Sequence, residues 1–275
     1  MSKINNQDKI VAKKHFGQNF LKDSIVLEKI IESMPNSENI VVEIGPGLGD
    51  LTNKLLKKRD VVAFEIDRDL CNILKNRFKD EIKEKRLILN CGDVLDFWKS
   101  SLIQKPYDLV ANLPYYVATN IVLKALRDRN CKNILVMLQK EVAKKFAAQC
   151  GDKEFSSLAI LARSAGEVKR VFDVNPNSFE PPPKVMSSIL FIKKDRNLED
   201  IDFEEFLKAA FLVPRKTLLK NLSKKYDKES IKDIFEKLNL PLNIRPHQVA
   251  TSIYHQIFKL VKRMRDGSNS TKEKP

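Results

Sequence analysis

The chain lacks most of what would point to a metal, a membrane or an oxidised extracellular fold. Its four cysteines, Cys71, Cys91, Cys131 and Cys150, show no C-x-x-C spacing, so they read as reduced thiols of a cytoplasmic protein, and not as zinc ligands or a disulfide framework. The three histidines, His15, His247 and His255, are too dispersed to make a ligand set, and no metal is expected. Apolar runs such as Ile134 to Leu138 and Leu158 to Ala162 stop far short of the roughly 20 residues that a membrane span takes. A soluble protein without a membrane partner is therefore expected. There is no internal repeat. Negative charge is in deficit, with 36 acidic residues against 50 Lys and Arg and a net charge of +14. Such a field attracts polyanions, nucleic acid foremost, although a merely solvated basic surface gives the same figure.

With 43% apolar and 31% charged residues the composition is globular, and 275 residues suit one ordinary domain plus a smaller appendage. Short β-branched runs alternate with amphipathic stretches over the first two-thirds, the pattern of a parallel sheet wrapped by helices. Strands are expected at Ile40 to Ile44, Val61 to Ile66, Leu87 to Asn90, Asp108 to Asn112 and Ile134 to Leu138. Two more, Val168 to Val174 and Ser187 to Ile192, flank a proline-rich segment and can close the sheet as antiparallel neighbours. After Lys194 helical periodicity takes over, in Phe203 to Phe211, Arg215 to Lys225, Lys228 to Leu238 and Pro246 to Arg265. The expectation is an α/β Rossmann-like sheet over residues 1–195, a small all-helical domain over 196–266 and a polar tail over 267–275. The polar ends, Met1 to Lys9 and Gly267 to Pro275, are expected to fray.

The motifs lie where expected strands end. Glu43-Ile44-Gly45-Pro46-Gly47-Leu48-Gly49-Asp50 turns the first strand into the first helix, with glycines that let backbone approach a ligand. Asp50 stands where a dinucleotide fingerprint wants a third small residue, which weakens a pyrophosphate reading. S-adenosylmethionine fits better: a helix N-terminus can hold its carboxylate, and acidic side chains such as Glu43 favour its cationic groups. Glu65 ends the second strand about 20 residues later, suited to both ribose hydroxyls. Asp93 follows the third strand and can accept from the adenine amine. Any one of these could be an ordinary turn or a solvated carboxylate; three at one sheet edge point to a nucleoside-bearing cofactor.

Asn112-Leu113-Pro114-Tyr115 ends the fourth strand. The Asn side-chain oxygen and a neighbouring main-chain carbonyl can each accept one N–H of an adenine amine, Pro114 presets the turn, and Tyr115 can stack on the base. Two such acceptors hold the amine pyramidal, restore its lone pair and aim it at a methyl group without a general base.

With these motifs the sequence resembles the bacterial small-subunit rRNA adenine N6-dimethyltransferases, the dimethyladenosine transferase family, over nearly its whole length. Lys14-His15-Phe16-Gly17-Gln18-Asn19-Phe20-Leu21 is similar to the family's N-terminal segment, and the resemblance implies that Asn19 and Leu21 contact the donor while Gln18 helps line the site. It places Gly45, Glu65, Asp93 and Asn112 on the remaining donor positions. Phe179-Glu180-Pro181-Pro182-Pro183-Lys184-Val185 is similar to the family's F-x-P-x-P-K-V element, which implies that Phe179 flanks the target adenine opposite Tyr115. Met186 departs from the family's usual Asp, and Pro214 stands where a further basic residue is common. The implied activity adds two methyls to each of two adjacent adenosines in a 3′-terminal hairpin of small-subunit rRNA, with S-adenosylhomocysteine as product. The implied partner is an immature small ribosomal subunit, met by a monomeric, cytoplasmic enzyme.

In the helical part Lys216, Lys220 and Lys224 recur at i, i+4 and i+8 beside Arg215, and are expected to form one RNA-facing stripe. Three other readings are weighed: a large-subunit rRNA adenine methyltransferase of the macrolide-resistance type, which shares the loop and the Asn-x-Pro-aromatic element; a DNA adenine methyltransferase, for which an acidic or second-proline version of the Asn112 motif and a recognition domain are expected; and a non-catalytic assembly factor that keeps the fold as scaffold.

Overall fold

A computed structural model describes residues 18–198 and 201–270, with 265–270 as backbone only. Lys14 to Gly17 and the N-terminal stretch expected to fray lie outside the described residues, whereas the last helix runs on to Ser270. Strand β1 (Phe20–Leu21) and helix α1 (Ser24–Glu32) precede the first long strand, β2 (Ile40–Ile44). The chain then alternates: α2 (Asp50–Leu55), β3 (Val61–Glu65), α3 (Arg68–Arg77), α4 (Lys79–Lys83), β4 (Leu87–Cys91), α5 (Val94–Phe97), β5 (Tyr107–Asn112), α6 (Ala118–Arg127) and β6 (Cys131–Gln139). Two helices, α7 (Lys140–Ala147) and α8 (Ser157–Ala165), lead to β7 (Gly166–Val174), the short β8 (Phe179–Glu180) and β9 (Ser187–Lys194).

The seven-stranded sheet has the order β4-β3-β2-β5-β6-β9-β7. Its first five strands are parallel, and β9 runs antiparallel to both of its neighbours. All seven expected strands are present, and the last two close the sheet as expected. Period-two alternation gives the sheet two apolar faces. Val42, Val62, Phe64, Leu109 and Val136 enter one cluster, while Val41, Val61, Ala63, Val110 and Leu135 enter the other. Helices cover both.

From β2 the chain winds outward through β3 and β4, then returns to β5 on the other side of β2. The connections after β2 and β5 therefore diverge, and the resulting crevice at the carboxyl ends is where open α/β sheets bind ligands. The parallel register aligns those ends, with Ile44 opposite Phe64 and Glu65 opposite Cys91. Away from the crevice the sheet is pinned by buried acids. Asp108 accepts from Asn39 at 3.1 Å, Arg59 at 2.6 Å and Asn133 at 2.7 Å. Asp128 accepts from the Trp98 indole at 2.9 Å, the Leu102 N–H at 2.8 Å and the Tyr107 hydroxyl at 2.8 Å. Burial raises the Asp128 pKa, and hydrogen bonds from the Ser101 hydroxyl, the Leu102 N–H and the Tyr107 hydroxyl outweigh it, holding the carboxyl below its ordinary range.

Beyond Lys194 come α9 (Ile201–Ala210), α10 (Leu218–Leu222), α11 (Lys228–Lys237) and α12 (Thr251–Ser270). Their core, with Phe206, Leu218, Phe235 and Tyr254, also takes Ala159, Ile160 and Leu161 from α8. The helical part is thus seated on the sheet part through α8. Two sequence expectations are corrected here. The helix foreseen over Arg215 to Lys225 is confined to Leu218–Leu222: Thr217 caps it by accepting from the Lys220 N–H, which leaves Arg215 and Lys216 in the preceding turn. Cys71 and Cys91, expected as free thiols, are joined as a disulfide with Cα atoms 6.2 Å apart. Cys91 ends β4 opposite Glu65, and α3 starts just after that residue, so the fold brings together thiols that spacing alone did not pair. Cys131 is free and buried, and Cys150 free and exposed. Among the described residues no helix is long and apolar enough to cross a membrane.

Candidate active site at the carboxyl edge of the sheet

The loop after β2 can only be built from glycine where it turns into α2. Gly49, the N-cap of α2, has φ +85°, and a Cβ there would lie 2.5 Å from the Phe78 ring and 2.9 Å from Leu74. Gly47, at φ +60°, donates its N–H to Glu65 Oε2 at 3.0 Å. Asp50, the residue that spoils a dinucleotide fingerprint, is occupied by Lys22 at 2.6 Å and Arg77 at 3.0 Å.

Two glutamates share this edge in different electrostatic states. Glu43 is only 1% exposed and accepts from the Thr52 hydroxyl at 2.6 Å. Burial pushes its pKa up to about 8 against the Thr52 hydrogen bond, and the nearby Glu65 charge adds to the rise. Burial thus favours the neutral form of Glu43, which lines the cavity while its hydrogen bond to Thr52 braces the start of α2. Glu65, 4% exposed, is fixed at both oxygens by backbone donors: Gly47 N–H on Oε2 and Asp67 N–H on Oε1, each at 3.0 Å. Burial raises its pKa too, partly opposed by those N–H groups. The remaining lone pairs of a carboxylate so held suit two adjacent hydroxyls. Asp93 caps α5 by accepting from the Leu95 N–H at 2.9 Å and lines the same cavity.

The N-terminal segment forms a further wall. Strand β1 pairs with β8 in register Phe20 to Glu180 and Leu21 to Phe179. The Ser178 carbonyl accepts from the Lys22 N–H at 2.9 Å, and the Ser178 hydroxyl donates to Asp23 at 2.8 Å. Gln18 donates to Asp67 at 3.0 Å, and Asn112 Nδ2 donates to the Asn19 carbonyl at 3.3 Å. The Asn112 donor is thus engaged with β1's leading residues, while its Oδ1 accepts no hydrogen bond among the described residues. Tyr115 lies half-buried, its hydroxyl 2.6 Å from Ser187 Oγ on β9, which fixes the ring plane.

One cavity brings together Gln18, Asn19, Leu21, Gly45, Glu65 and Asp93 with the whole Asn112-Leu113-Pro114-Tyr115 turn. Phe179 is not among its walls. Only 5% exposed, it packs in the core cluster that contains Leu21 and so helps hold the N-terminal strap. Sequence reasoning missed Asp67, whose side chain holds Gln18, and Tyr116, a 63% exposed wall of the cavity. The only signal for Tyr116 was its place beside Tyr115.

The donors and acceptors present fit S-adenosylmethionine. The buried Glu65 and the partly exposed Asp93, at two adjacent strand ends, match a nucleoside's hydroxyls and amine, and a helix N-terminus behind a glycine turn leaves room for a small anionic group. Among the described residues no group of three metal-binding side chains occurs.

The basic residues of the helical part form a second concavity, lined by Arg215, Lys216, Thr217, Lys220, Asn243, Arg245, His247 and Gln248. Lys224 does not join it, because α10 ends at Leu222 and the face does not extend to a third turn. Arg245 and His247 come from the loop before α12, and the Ile244 carbonyl there accepts from the Leu218 N–H at 2.8 Å. Sequence periodicity could not find them, since they belong to another segment.

Comparison with known proteins agrees with this geometry. Residues 10–263 match the model of the ribosomal RNA adenine dimethylase family. A ribosomal RNA small subunit methyltransferase A of Sulfurimonas denitrificans is 58% identical over 97% of this chain and 99% of that protein. Another so named, from Aliarcobacter butzleri, is 52% identical over 94% and 99%. Among solved structures, a dimethyladenosine transferase from Plasmodium falciparum superposes with a TM-score of 0.73, at 28% identity, over 90% of this chain and 98% of that one. The 23S rRNA methyltransferase ErmE, at 23% identity and TM-score 0.68 over 89% and 100%, shares the fold. The chain belongs to the ribosomal RNA adenine dimethylase family.

Two expected outcomes follow from the paired glutamates. Glu65→Ala weakens S-adenosylmethionine binding by about 1 to 3 kcal/mol, the range for hydrogen bonds to a charged group, and Asp93→Ala weakens it less; titration calorimetry reads both, and parental affinity in Glu65→Ala removes the ribose assignment. For Glu43, a folded pKa near 8 against an ordinary unfolded value means that the folded state holds the extra proton between about pH 4.5 and 8. Stability from this group is full below that window and falls as pH rises through it. Glu43→Gln has no such slope, so its urea-unfolding free energy relative to the parent rises from pH 5 to pH 8. A difference that stays flat across the window means Glu43 is ionised in the fold.

Proposed function

We propose that the chain transfers methyl groups from S-adenosylmethionine to the N6 amine of adenosine in small-subunit rRNA, two on each of two adjacent adenosines in a 3′-terminal hairpin, during subunit assembly. The observation that carries this reading is the Asn112–Tyr115 turn opening into the same cavity as Glu65 and Asp93. Gln18, Asn19, Leu21, Gly45, Glu65 and Asp93 hold the donor, which supplies a methyl group made electrophilic by its sulfonium and leaves as S-adenosylhomocysteine. The residues do the positioning. Asn112 Oδ1 and the Leu113 carbonyl accept the two amine N–H groups, Pro114 fixes the turn, and Tyr115, its hydroxyl tied to Ser187, offers a fixed face to the base. Phe179 acts by packing beneath Leu21. No metal enters this chemistry.

The names of the 58% and 52% identical relatives support the small-subunit substrate over the large-subunit reading. Residues 1–195 form the methyl-transferring unit and 196–266 the RNA-contacting unit, with α8 as their shared wall. Arg215, Lys216 and Lys220, joined by Arg245 and His247, hold RNA phosphates in the second concavity. Lys224 adds charge beside it. The enzyme works as a cytoplasmic monomer on an immature small subunit. Labelled donor offered with immature small subunits, immature large subunits, naked rRNA and duplex DNA decides the matter, with label expected in the small subunits. Label in large subunits instead establishes the macrolide-resistance type, and binding without any label establishes a non-catalytic factor.

In that assay Asn112→Ala keeps donor affinity within several-fold and loses most turnover, because its acceptor matters chiefly in the transition state; a parental rate refutes the positioning role. Replacing Arg215, Lys216 and Lys220 together with Gln weakens subunit binding and flattens its salt dependence by roughly 0.7 to 0.9 in log–log slope per lost phosphate contact, with donor affinity unchanged. An unaltered slope places the RNA elsewhere.

A further inference from the structure

Tyr115 and Tyr116 are consecutive, yet they address opposite halves of the cleft. The sheet order puts β9 on one side of β5, while β3 and β4 lie on the other. The Tyr115 hydroxyl reaches Ser187 on β9. Tyr116 lines the cavity together with Glu65, Ile66, Gly92 and Asp93, the carboxyl ends of β3 and β4. Its phenol lies within electrostatic range of both carboxylates, which together with burial hold its pKa above the ordinary tyrosine range.

Tyr116 is nonetheless 63% exposed, and Ile66, directly after Glu65, is 36% exposed. These are large apolar surfaces on a cavity whose polar groups suit a nucleoside, and that of Tyr116 stays largely open. An aromatic side chain held at the rim of such a cavity gains contact area and a hydrogen-bond partner when a planar, hydroxylated ligand arrives beneath it. The immediate backbone is firm: the Val117 N–H bonds to the Pro114 carbonyl at 3.2 Å and the Ile121 N–H to the Val117 carbonyl at 3.0 Å, so the Tyr116 side chain can swing while its anchor stays.

We propose that Tyr116 is a donor-binding residue that closes over the nucleoside half of the cleft, its ring against the adenosine and its hydroxyl toward the groups held by Glu65 and Asp93, while Tyr115 serves the target base on the other side. The turn thereby separates donor from acceptor with two adjacent aromatic side chains. This rests on the reading of Glu65 and Asp93 as the nucleoside's ligands. It makes Tyr116 part of the selection for an adenosine-bearing donor and of the retention of its spent form.

The test is titration of S-adenosylhomocysteine into the parent protein, Tyr116→Ala, Tyr116→Phe and Glu65→Ala, with binding of immature small subunits measured separately without donor. Thermal unfolding checks that the variants fold, as the exposure of Tyr116 leads us to expect. Tyr116→Ala weakens the nucleoside by about 5- to 20-fold, Tyr116→Phe by about 2- to 3-fold, and neither changes subunit binding. If Glu65→Ala weakens the nucleoside and Tyr116→Ala does not, the closing role is wrong and the pocket stands. If Glu65→Ala binds as the parent does, the pocket reading falls and takes this inference with it. Loss of subunit binding in Tyr116→Ala with parental nucleoside affinity assigns the ring to the acceptor and overturns the proposal.

Discussion

The parallel register of β2, β3, β4 and β5 is the constraint on which the rest of the molecule depends. It sets Ile44 opposite Phe64 and Glu65 opposite Cys91, so that the glycine turn, Glu65, Asp93 and Asn112 emerge at one edge. A slip of one residue in any pair would turn its side chains to the other face and carry a functional group out of the crevice. The sequence guards against such a slip by using both faces. Adjacent residues such as Val41 and Val42, or Ala63 and Phe64, enter different apolar clusters, so strands are apolar throughout and the helices on each side fix them. Asp108, with Arg59, Asn39 and Asn133 around it, fastens the strands away from the crevice.

Within the crevice the electrostatics divide labour between two glutamates. Two buried carboxylates near one another disfavour joint ionisation, and the structure resolves this by giving Glu65 two backbone N–H donors while Glu43 has a single hydroxyl. Burial raises both pKa values, opposed at Glu65 by the two N–H groups and at Glu43 by the Thr52 hydroxyl. Because Gly47 donates to Glu65, the loop conformation and the orientation of the Glu65 carboxyl are one feature: a side chain at Gly47 would have to share its position with Phe20, 3.1 Å from the added Cβ.

The sheet was legible in the sequence because burial on two faces demands uninterrupted β-branched runs, and all seven runs were found within a few residues of their ends. Strand-end acids were legible for the same reason, since locating a parallel strand locates its carboxyl edge. Contacts between segments far apart in sequence were not. The pairing of Phe20–Leu21 with Phe179–Glu180 involves strands too short to carry a periodic signal. Cys71 and Cys91 meet only because α3 follows Glu65 and β4 ends beside it. The lysine spacing at 216, 220 and 224 did satisfy helical periodicity, but Thr217 caps a helix that starts at Leu218 and ends at Leu222. The basic surface is completed instead by Arg245 and His247 from the loop before α12. Periodicity describes one element and is silent on which elements meet.

The burial of Phe179 shows how such a meeting serves the chemistry. Strand β1 has only two residues, too few to hold a place by its own hydrogen bonds, yet it carries the wall of the cavity. Its position is set by Leu21 packing in the cluster that contains Phe179 and by the Ser178 carbonyl receiving the Lys22 N–H. The same wall presents the Asn19 carbonyl to Asn112 Nδ2. That bond uses the donor end of the amide and leaves its acceptor end unengaged among the described residues, and so selects one of the two orientations open to an asparagine side chain. The proline-rich segment after β7, the N-terminal strap and the asparagine at the end of β5 are thereby one mechanical unit. Its effect at the cavity is to set which end of the Asn112 amide is left open, although Phe179 itself is not among the cavity's walls.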